Sequence, residues 1–476
     1  MKKLLALIFA LALLLALSAF AEETFQSGDY EYRILEDGTA EITKYVGKKV
    51  MLVIPSQLDG ITVTSIDANA FSRCDKLVLI TIPDSVTSIG DHAFNNCDNL
   101  TSMMIPDSVT SVGVNPFSYC DELSIIKVSP EHEYLEVTDG VLFSKPDNRL
   151  ICCPAKTKGE YAIPQGTDII GDYAFCGCAE LTAITVPDSV TVIGDWAFYE
   201  CESITSFTIP GKVTCIGEGT FYVCWNMTSV TIPDSVTSIG NNAFYWCDSL
   251  TSVAIPDSVT SIGNYAFDQS GLTSVTIPDS ITSIGIGTFA ECDLTCVTIP
   301  DSVTNISDYA FYYCKELTSV SIGDGVTNIG INPFAYCEQL KDISVLLENE
   351  YLEVTDGMLF SKPDKRLVWC PMNIEGEFEI PQGIGRIGDL AFANCGGLTS
   401  VTIPDGVTSI GNGAFYLCDN LTSITIPESV TSIGDNAFLI YNSGLTFIVP
   451  QGSYAEKYCK ENGFPFHISI LTYNNG

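Results

Sequence analysis

This chain contains few residues of the types that enzymes use for catalysis. Its 476 residues include three histidines, His92, His132 and His467, which lie far apart in the sequence. Catalysis requires a nucleophile, a base or a metal cluster held at one place. The chain has no Gly-x-Ser-x-Gly, His-Glu-x-x-His or P-loop motif. We therefore predict a protein that is not an enzyme and binds no cofactor, with each histidine a surface or cap residue.

Cysteine is abundant, with 19 residues, and most of them follow a strict pattern. A set of 12 lies three residues after a recurring phenylalanine, where Ser270 and Tyr441 stand in two other copies. Because a free cysteine behaves as a small buried hydrophobe, we predict a buried, reduced ladder. Disulfide pairing is the alternative, and zinc is disfavoured because its ligands must converge on one point. The set is Cys74, Cys97, Cys120, Cys178, Cys201, Cys224, Cys247, Cys292, Cys314, Cys337, Cys395 and Cys418.

Aspartate recurs directly after proline and would also form a column. Stacked carboxylates are able to attract calcium, which prefers several oxygen ligands around one ion. Asp after Pro is equally typical of a solvated turn, and we favour that interpretation. The column consists of Asp84, Asp107, Asp188, Asp234, Asp257, Asp279, Asp301 and Asp405.

Tyrosine and tryptophan cluster around the recurring phenylalanine in the middle of the chain. Both side chains are favoured at protein interfaces, and their rings also stack on sugars. We predict a solvent-exposed, contiguous ligand-binding patch on one side of the fold. The alternative is that the rings pack over the turns as part of the core. The predicted patch is Trp196, Tyr199, Tyr222, Trp225, Tyr245 and Trp246.

A repeated phrase must position all of these residues. It reads Leu-Thr-Ser-Val-x-Ile-Pro-Asp-Ser-Val-Thr-Ser-Ile-Gly-x-x-Ala-Phe-x-x-Cys, and its copies are 22 or 23 residues apart except for two gaps of 58. A fixed period of this length predicts a solenoid with one turn of chain per repeat. The recurring residues are Phe71, Phe94, Phe117, Phe175, Phe198, Phe221, Phe244, Phe267, Phe289, Phe311, Phe334, Phe392, Phe415 and Phe438.

Each part of the phrase predicts a local structure. Leu-Thr-Ser-Val-x-Ile alternates polar and β-branched residues and predicts a short strand. Pro-Asp predicts a turn, Val-Thr-Ser-Ile a second extended piece, and Gly a further sharp turn. Asp/Asn-x-Ala-Phe-x-x-Cys suits one helical or 3-10 turn. We expect the Leu, Val, Ile, Ala, Phe and Cys columns to point inward, and the Thr, Ser and Asp columns to point outward.

Segments outside the regular repeats define the other parts of the chain. Residues 1–21 are typical of a secretory signal peptide, with Lys2-Lys3, an apolar run and Ala19-Phe20-Ala21. We predict an N-terminal β-hairpin cap over 22–60, the solenoid over 61–447 and a C-terminal cap over 448–476. Longer modules at about 118–175 and 335–392 each contain Leu-Glu-Val-Thr-Asp-Gly, which predicts a hairpin. We interpret these modules as structural variants of the turn.

Composition limits the class of partner. The chain is 46% hydrophobic and 17% charged, as expected for a folded protein, and its formal net charge is −36. A surface with this charge repels phosphate backbones and anionic lipids, so we predict no nucleic-acid partner. After cleavage of the signal peptide we expect no membrane insertion, and a soluble monomer outside the cell.

The columns Leu-x-x-Val-x-Ile-Pro, Val-x-x-Ile-Gly and Ala-Phe-x-x-Cys resemble those of the BspA-type, or Treponema pallidum-type, leucine-rich repeat family. The resemblance runs from about Tyr30 to Phe466. It implies a right-handed, β-rich superhelix with short strands and short helical or 3-10 turns. It also implies a secreted or cell-surface protein that adheres to host or microbial surface proteins or glycans. The alternative is an extracellular spacer or coat protein without a specific ligand.

Overall fold

The computed structural model describes residues 23–346, 349–441 and 444–469, so the predicted signal peptide lies outside it. The chain forms two compact units, each a β-solenoid of stacked turns. The first unit comprises the residues up to Thr182 together with Val192–Cys201. The second comprises Ala183–Thr191 and the residues from Glu202 onward. The predicted class, a repeat solenoid, is confirmed.

Short strands make up most of the first unit. In chain order they are β1 (Thr24–Ser27), β2 (Tyr30–Ile34), β3 (Ala40–Tyr45), β4 (Met51–Val53), β5 (Gln57–Leu58), β6 (Ile61–Ile66), β7 (Leu79–Thr81), β8 (Ser88–Ile89), β9 (Ser102–Met104), β10 (Ser111–Val112), β11 (Ile125–Lys127), β12 (Leu135–Thr138), β13 (Val141–Ser144), β14 (Arg149–Cys152), β15 (Gly159–Ala162), β16 (Ile169–Ile170), β17 (Leu181–Thr185, whose residues from Ala183 onward belong to the second unit) and β18 (Val192–Ile193).

The second unit contains the remaining strands and the helix. In chain order these are β19 (Ser206–Thr208), β20 (Cys215–Ile216), β21 (Ser229–Thr231), β22 (Ser238–Ile239), β23 (Ser252–Val253), β24 (Ser261–Ile262), β25 (Ser274–Val275), β26 (Ser283–Ile284), β27 (Cys296–Ile299), β28 (Asn305–Ile306), β29 (Ser319–Ile322), β30 (Asn328–Ile329), β31 (Asp342–Val345), β32 (Leu352–Thr355), β33 (Met358–Ser361), β34 (Arg366–Trp369), β35 (Gly376–Glu379), β36 (Arg386–Ile387), β37 (Leu398–Thr402), β38 (Ser409–Ile410), β39 (Ser423–Thr425), β40 (Ser432–Ile433), β41 (Thr446–Val449), α1 (Tyr454–Asn462) and β42 (Phe466–Ile468).

Each regular repeat contributes two strands, as the phrase predicts. One comes from Ser-Val-x-Ile and one from Ser-Ile, and most of these strands pair in parallel with the equivalent strand of the next repeat, as β22 pairs with β24 and β23 with β25. The threonine before Ser-Ile strengthens this stacking. Thr260 Oγ1, for example, donates to the Thr237 carbonyl of the preceding repeat at 3.2 Å. The outward Thr column is therefore a second hydrogen-bonded ladder beside the backbone one.

The segment around the phenylalanine forms consecutive turns and not the predicted helical or 3-10 turn. In most repeats the residues two before and two after the Phe adopt left-handed φ values, as at Asn242 (φ 54°) and Trp246 (φ 58°) around Phe244. A right-handed helix requires negative φ, so it cannot pass through this pair. Residue types did not reveal the difference, because Asn, Tyr, Trp and Glu all occupy these positions.

The glycine after Ile serves a purpose other than the predicted one. At Gly240 the backbone is not left-handed, and its N–H donates to the Ile216 carbonyl of the preceding turn at 2.8 Å. A Cβ at this position would lie 2.6 Å from the carbonyl carbon of Gly217. Glycine is therefore present because adjacent turns approach closely, which no side chain permits.

Phenylalanine rings stack along the centre of each unit. Phe71 and Phe94 lie 5.2 Å apart in the first unit, and Phe244 and Phe267 lie 5.2 Å apart and nearly parallel in the second. All four side chains are completely buried. Burial of one such ring stabilises the fold by about 1.5–3 kcal/mol, so this column is a major source of stability.

The cysteine column lies beside the phenylalanine column and is buried, as predicted, except for the half-buried Cys74. All 19 cysteines lie within the described residues, and none of them forms a disulfide bond there. Most column thiols donate to the carbonyl of the Phe in the preceding turn, as from Cys247 Sγ to Phe221 O at 3.2 Å and from Cys97 Sγ to Phe71 O at 3.2 Å. Cysteine thus fills a small apolar space and satisfies a buried carbonyl.

The two longer modules replace one turn by a hairpin. In the first unit β12, β13 and β14 pair antiparallel, and in the second β32, β33 and β34 do the same. In each module, the side chain of an asparagine on one side of the insertion forms a hydrogen bond with a backbone carbonyl on the other side. Asn115 Nδ2 donates to Tyr173 O, 58 residues ahead, at 2.7 Å, and Asn332 Nδ2 donates to Leu390 O at 2.9 Å.

Both ends of the described chain carry additional structure. β2 and β3 form the hairpin predicted around Asp37-Gly38, and Tyr45 of β3 stacks on Phe71. At the other end Ser453 accepts from the Glu456 N–H at the start of α1, and Gly463 (φ 74°) ends the helix, as predicted. Among residues 23–346, 349–441 and 444–469, no helix is long and apolar enough to cross a membrane.

Candidate functional site

The three histidines do not meet, and two have structural contacts. His132 is buried, and its Nδ1 faces the N–H groups of Tyr134 and Leu135 at 3.2 and 3.1 Å. Asn349 makes the same pair of contacts in the second module, which shows that His132 shapes the chain there. His92 Nδ1 lies 2.9 Å from Ser118 Oγ, while His467 is exposed on β42.

Acidic and thiol groups are likewise dispersed. The aspartates after proline lie in exposed turns, as at Asp84 and Asp107. Within the part of the chain that the structure describes, no group of three or more His, Cys, Asp or Glu side chains is placed to hold a metal ion. Exposed aromatic side chains are therefore the main candidates for recognition.

The left-handed positions of the turns determine where many of these aromatic residues lie. Tyr265 and Tyr309 stand two residues before the Phe of their repeats, and Trp246 and Tyr313 stand two after, all with φ between 56° and 58°. A bulky residue rarely adopts this backbone, and it does so here because hydrogen bonds to the next turn fix the chain. The Trp246 N–H, for example, donates to the Asp268 carbonyl at 3.0 Å.

In the first unit, Trp196 and Tyr199 belong to one aromatic cluster. Their ring centroids are 5.7 Å apart, Trp196 stacks on Tyr173 at 6.2 Å, and Tyr199 meets the edge of Tyr119 at 5.5 Å. His92 extends the cluster, with its ring 5.0 Å from that of Tyr173. Trp196 and Tyr199 are both half-buried.

In the second unit, Tyr222, Tyr245 and Trp246 form a second cluster. The Tyr222 and Tyr245 rings stack at 4.7 Å with an interplanar angle of 5°, and Trp246 meets Tyr245 edge-on at 5.6 Å. Both tyrosines are half-buried, whereas Trp246 is 41% exposed and Trp225 is 42% exposed. Burial raises the pKa of Tyr245 to about 12, so its hydroxyl is a neutral donor at physiological pH. None of the six predicted patch residues is buried, and their role in binding stays a prediction.

Further along the second unit lies a third cluster, which the predicted patch omits. Tyr312 is 5.7 Å from Tyr309, 5.9 Å from Tyr313 and 5.4 Å from Tyr336, measured between ring centroids. Lys315 places its Nζ 4.3 Å from the centre of the Tyr313 ring. Tyr309 was not among the predicted binding residues, because only the positions after the Phe were compared. Trp196 of the predicted patch occupies the same position as Tyr309, two residues before the Phe.

An apolar strand face in the first unit was missed altogether. The outward positions of β4, β7, β9 and β11 carry Met51, Val53, Leu79, Met104 and Ile125, all exposed, where β21 carries the exposed Ser229 and Thr231. Of these strands, β7, β9 and β11 line a groove of about 850 Å³. The available signal was the loss of Ser and Thr from these columns.

The repeat geometry and its residues define the class of protein. The sequence model of the BspA type leucine rich repeat region matches residues 53–139, 157–270, 237–358 and 369–465, with six copies. The chain therefore belongs to the BspA-type leucine-rich repeat family. No curated protein matches the sequence.

Several solved structures resemble this one. A leucine-rich cell surface protein from Faecalibacterium prausnitzii A2-165 is 26% identical over 92% of this chain and 97% of its own, with a TM-score of 0.42. A leucine-rich repeat protein from Bacteroides ovatus ATCC 8483 is 25% identical over 94% and 100%, with a TM-score of 0.43. The leucine-rich repeat protein of T. pallidum is 24% identical over 52% and 89%, with a TM-score of 0.28. The family assignment rests on the repeat itself.

Proposed function

We propose that this chain is a secreted or cell-surface recognition protein that binds host or microbial surface proteins or glycans without catalysis. The observation that carries the proposal is the partly exposed aromatic cluster of the second unit, Tyr222, Tyr245 and Trp246, together with the exposed Trp225. Stacked rings of this kind present flat apolar faces next to hydroxyl and indole donors, which suits both protein side chains and sugars.

The repeat supports the mechanism of recognition. Adjacent turns are joined by backbone, Thr and Cys hydrogen bonds, so the rings are held in place before a partner arrives. A preformed surface limits the entropy lost on binding. The cell-surface description of the F. prausnitzii protein agrees with an extracellular location. The formal charge of −36 disfavours nucleic acid as a partner.

The test is a binding screen of residues 22–476 against matrix proteins, glycans and intact cells. A variant with Tyr222, Trp225, Tyr245 and Trp246 changed to Ala should lose saturable binding and stay folded, with a cooperative melting transition at a lower temperature. The matched control changes Tyr441 and Tyr454 to Ala, since these rings are exposed elsewhere in the second unit. Binding that survives the first variant unchanged would contradict the proposed site.

A second candidate is a spacer or coat protein without a specific ligand. The observation that favours it is the Ser and Thr face of the second unit, where β21, β23 and β25 repeat nearly the same outward residues. Part of that regularity has a structural cause, because Thr hydroxyls next to these strands donate to the preceding turn, as Thr273 Oγ1 does to the Thr251 carbonyl. Absence of binding by the unmodified protein to every target would favour this alternative.

A further inference from the structure

The outer face of one sheet in the first unit carries a continuous band of apolar side chains. Strands β4, β7, β9 and β11 lie side by side in this sheet, and two rows of their side chains point outward. Diagonal neighbours in a sheet are close enough for long side chains to touch, so the apolar members of both rows meet. The rows are Met51, Leu79, Ser102 and Ile125, and Val53, Thr81, Met104 and Lys127.

The solenoid does not need apolar residues at these positions. The corresponding rows of the second unit contain Ser229 and Thr231 on β21 and Ser252 on β23, and these strands still pair with their neighbours. In the first unit Val53 is 72% exposed and Met104 is 65% exposed. A contiguous exposed apolar patch is typical of an interaction site, because it gains free energy when a partner covers it.

The apolar band forms part of the groove of about 850 Å³ over β7, β9 and β11. Leu79, Met104 and Ile125 line this groove, together with Asp84 and Asp107. These two aspartates follow β7 and β9 directly after the Pro of each turn, and both are exposed. The groove therefore presents apolar surface with carboxylates at the C-terminal end of its strands.

Carboxylates also stand at the N-terminal end of the same strands. Asp75, Asp98 and Asp121 each follow a cysteine of the buried column, precede β7, β9 and β11 respectively, and are exposed. Basic side chains in the same region are Lys76, beside Asp75, and Lys127 in the groove lining. The apolar band consequently lies between two rows of negative charge.

An apolar surface between two rows of carboxylates is complementary to a segment whose apolar residues are flanked by Lys or Arg. Burial of the apolar side chains provides affinity, and the charges favour a basic partner and speed its association. A second copy of this chain is a poor occupant, because it carries the same acidic rows and a formal net charge of −36. The band crosses four strands, or about 14 Å, which equals the length of about ten residues of α-helix.

We propose that the outer face of β4, β7, β9 and β11 binds a cationic amphipathic segment of a partner protein. The apolar residues of this segment contact Leu79, Met104 and Ile125, and its Lys or Arg groups pair with the carboxylates at both ends of the strands. The site consists of different residues from the aromatic cluster of the second unit. The inference therefore adds a second recognition surface to the proposed function and does not depend on that cluster.

The experiment uses residues 22–476 and an acetylated, amidated peptide of about 14 residues with Leu on one helical face and Lys on the other. Calorimetry near physiological ionic strength measures binding, because salt screens purely ionic attraction to an acidic surface. The peptide should bind saturably. A peptide with Gln in place of every Leu should bind at least tenfold more weakly, and so should a peptide with Glu in place of every Lys.

The decisive variant combines Leu79→Ser, Met104→Thr and Ile125→Ser, which gives these strands the residue types found in the second unit. Because these side chains are exposed, the variant should keep its melting temperature and weaken binding at least tenfold. The matched control combines Leu346→Ser with Leu439→Ser, which removes exposed apolar side chains elsewhere in the chain. The control should change binding less than twofold.

A second pair of variants tests the carboxylates at constant net charge. Asp84→Asn with Asp107→Asn should weaken binding severalfold. Asp234→Asn with Asp257→Asn removes the same charge from exposed turns after Pro in the second unit and should change binding less than twofold. Lys127→Thr should strengthen binding, because it removes a positive charge from the groove lining.

Three results would overturn the proposal. The first is binding by the variant of Leu79, Met104 and Ile125 that is as tight as that of the unmodified protein. The second is equal binding of the Leu and Gln peptides. The third is a dimer of the unmodified protein, detected by light scattering, that this variant converts to a monomer, since a second copy would then be the occupant.

The outcome is separable from that of the proposed function. The variant with Tyr222, Trp225, Tyr245 and Trp246 changed to Ala should bind the peptide like the unmodified protein. Loss of peptide binding in that variant alone would assign the peptide to the second unit and contradict this site. Peptide binding without any hit in the surface screen would keep this site and contradict adhesion to those targets.

Discussion

Two parallel columns of side chains run through the second unit, and they differ in how much variation they accept. The inner column consists of the recurring Phe rings, stacked at 5.2 Å between Phe244 and Phe267. The outer column consists of the residues directly after them, stacked at 4.7 Å between Tyr222 and Tyr245. The inner rings are completely buried, whereas the outer rings are half-exposed.

The difference separates the requirements of folding from those of binding. From Phe221 to Phe334 the inner column is Phe in every repeat, and each ring stacks on the next. Over the same repeats the residue in the outer column is Tyr, Tyr, Asp, Ala, Tyr and Ala in turn. The residue two positions after the Phe keeps a left-handed φ in all of these repeats, so this part of the turn does not depend on the outer residue. Surface chemistry can therefore vary while the core stays fixed.

The largest effect on stability is expected from replacing one Phe of the inner column. Phe267→Ala should lower the free energy of unfolding by about 3–5 kcal/mol, because a large buried side chain is lost and a cavity remains. Tyr245→Ala, one repeat earlier in the outer column, should cost less than about 1.5 kcal/mol because its ring is already partly solvated. Urea unfolding monitored by circular dichroism measures both. Equal losses would show that the outer rings belong to the core.

The next prediction concerns Cys247, which belongs to the buried cysteine column beside the inner Phe column. Its replacement should lower stability less than the loss of a Phe ring. Cys247→Ala removes a buried thiol and its hydrogen bond to Phe221 O, and should lower the free energy of unfolding by about 1–2 kcal/mol. The exposed Cys215 on β20 is the matched control, and Cys215→Ala should change stability by less than about 0.5 kcal/mol. Thermal melts under reducing conditions compare the two. No loss for Cys247→Ala would contradict a packing role for the ladder.

A further prediction concerns Asp268 in the outer column, whose ionisation should make the stability of the protein depend on pH. Burial raises its folded pKa from the ordinary value of 3.8 to about 7, so the folded chain holds a proton that the unfolded chain releases. This contribution to stability is present at low pH and is lost as the pH rises from about 4 to about 7. Asp268→Asn removes the titration. It should melt like the unmodified protein at pH 4 and be more stable at pH 8, by on the order of 1 kcal/mol.

The control for that measurement is Asp257→Asn, which removes an exposed charge from the same unit. Its effect on the melting temperature should be small at both pH values. The charge of Glu291 helps to raise the pKa of Asp268. Asp268→Asn with Glu291→Gln should therefore show no larger pH dependence than Asp268→Asn alone. A stability difference that does not change between pH 4 and pH 8 would contradict the burial of an ionised Asp268.

The smallest expected effect concerns the turn backbone that both columns share. Gln269 has a left-handed φ of 55°, which glycine adopts without steric cost. Gln269→Gly should therefore raise the free energy of unfolding by up to about 1 kcal/mol, after the larger entropy loss of glycine is subtracted. Gln269→Ala keeps the steric cost and should not raise it. A destabilised Gln269→Gly variant would mean that the Gln side chain itself contributes to packing.

Sequence periodicity predicted the stacking well because it states which residues occupy equivalent positions. The two strands of each repeat, the buried Phe and Cys columns and the hairpin around Asp37-Gly38 all follow from residue type and spacing. The direction in which the side chains of the turns point could not be predicted from residue type and spacing, because it depends on the backbone angle φ. Tyr265 and Tyr309 were thus overlooked although they stand at the same left-handed position as Trp196.

Departures from the repeat were the other source of error. Asp268 fits the acidic composition of the chain, which gave no sign that it is buried. Met104 and Ile125 likewise replace Ser or Thr at outward strand positions, yet apolar residues in a strand were expected to face inward. A consensus describes what the repeats share, whereas a binding site depends on where they differ.

The asparagine bridge of the longer modules has a consequence for how the solenoid accepts additional chain. Asn115 donates to the Tyr173 carbonyl and Asn332 to the Leu390 carbonyl, so each hydrogen bond joins residues on the two sides of a long module. Segments that are 58 residues apart in the sequence are thereby held within hydrogen-bonding distance, so the hairpin can be accommodated without separating the chain that flanks it at this point.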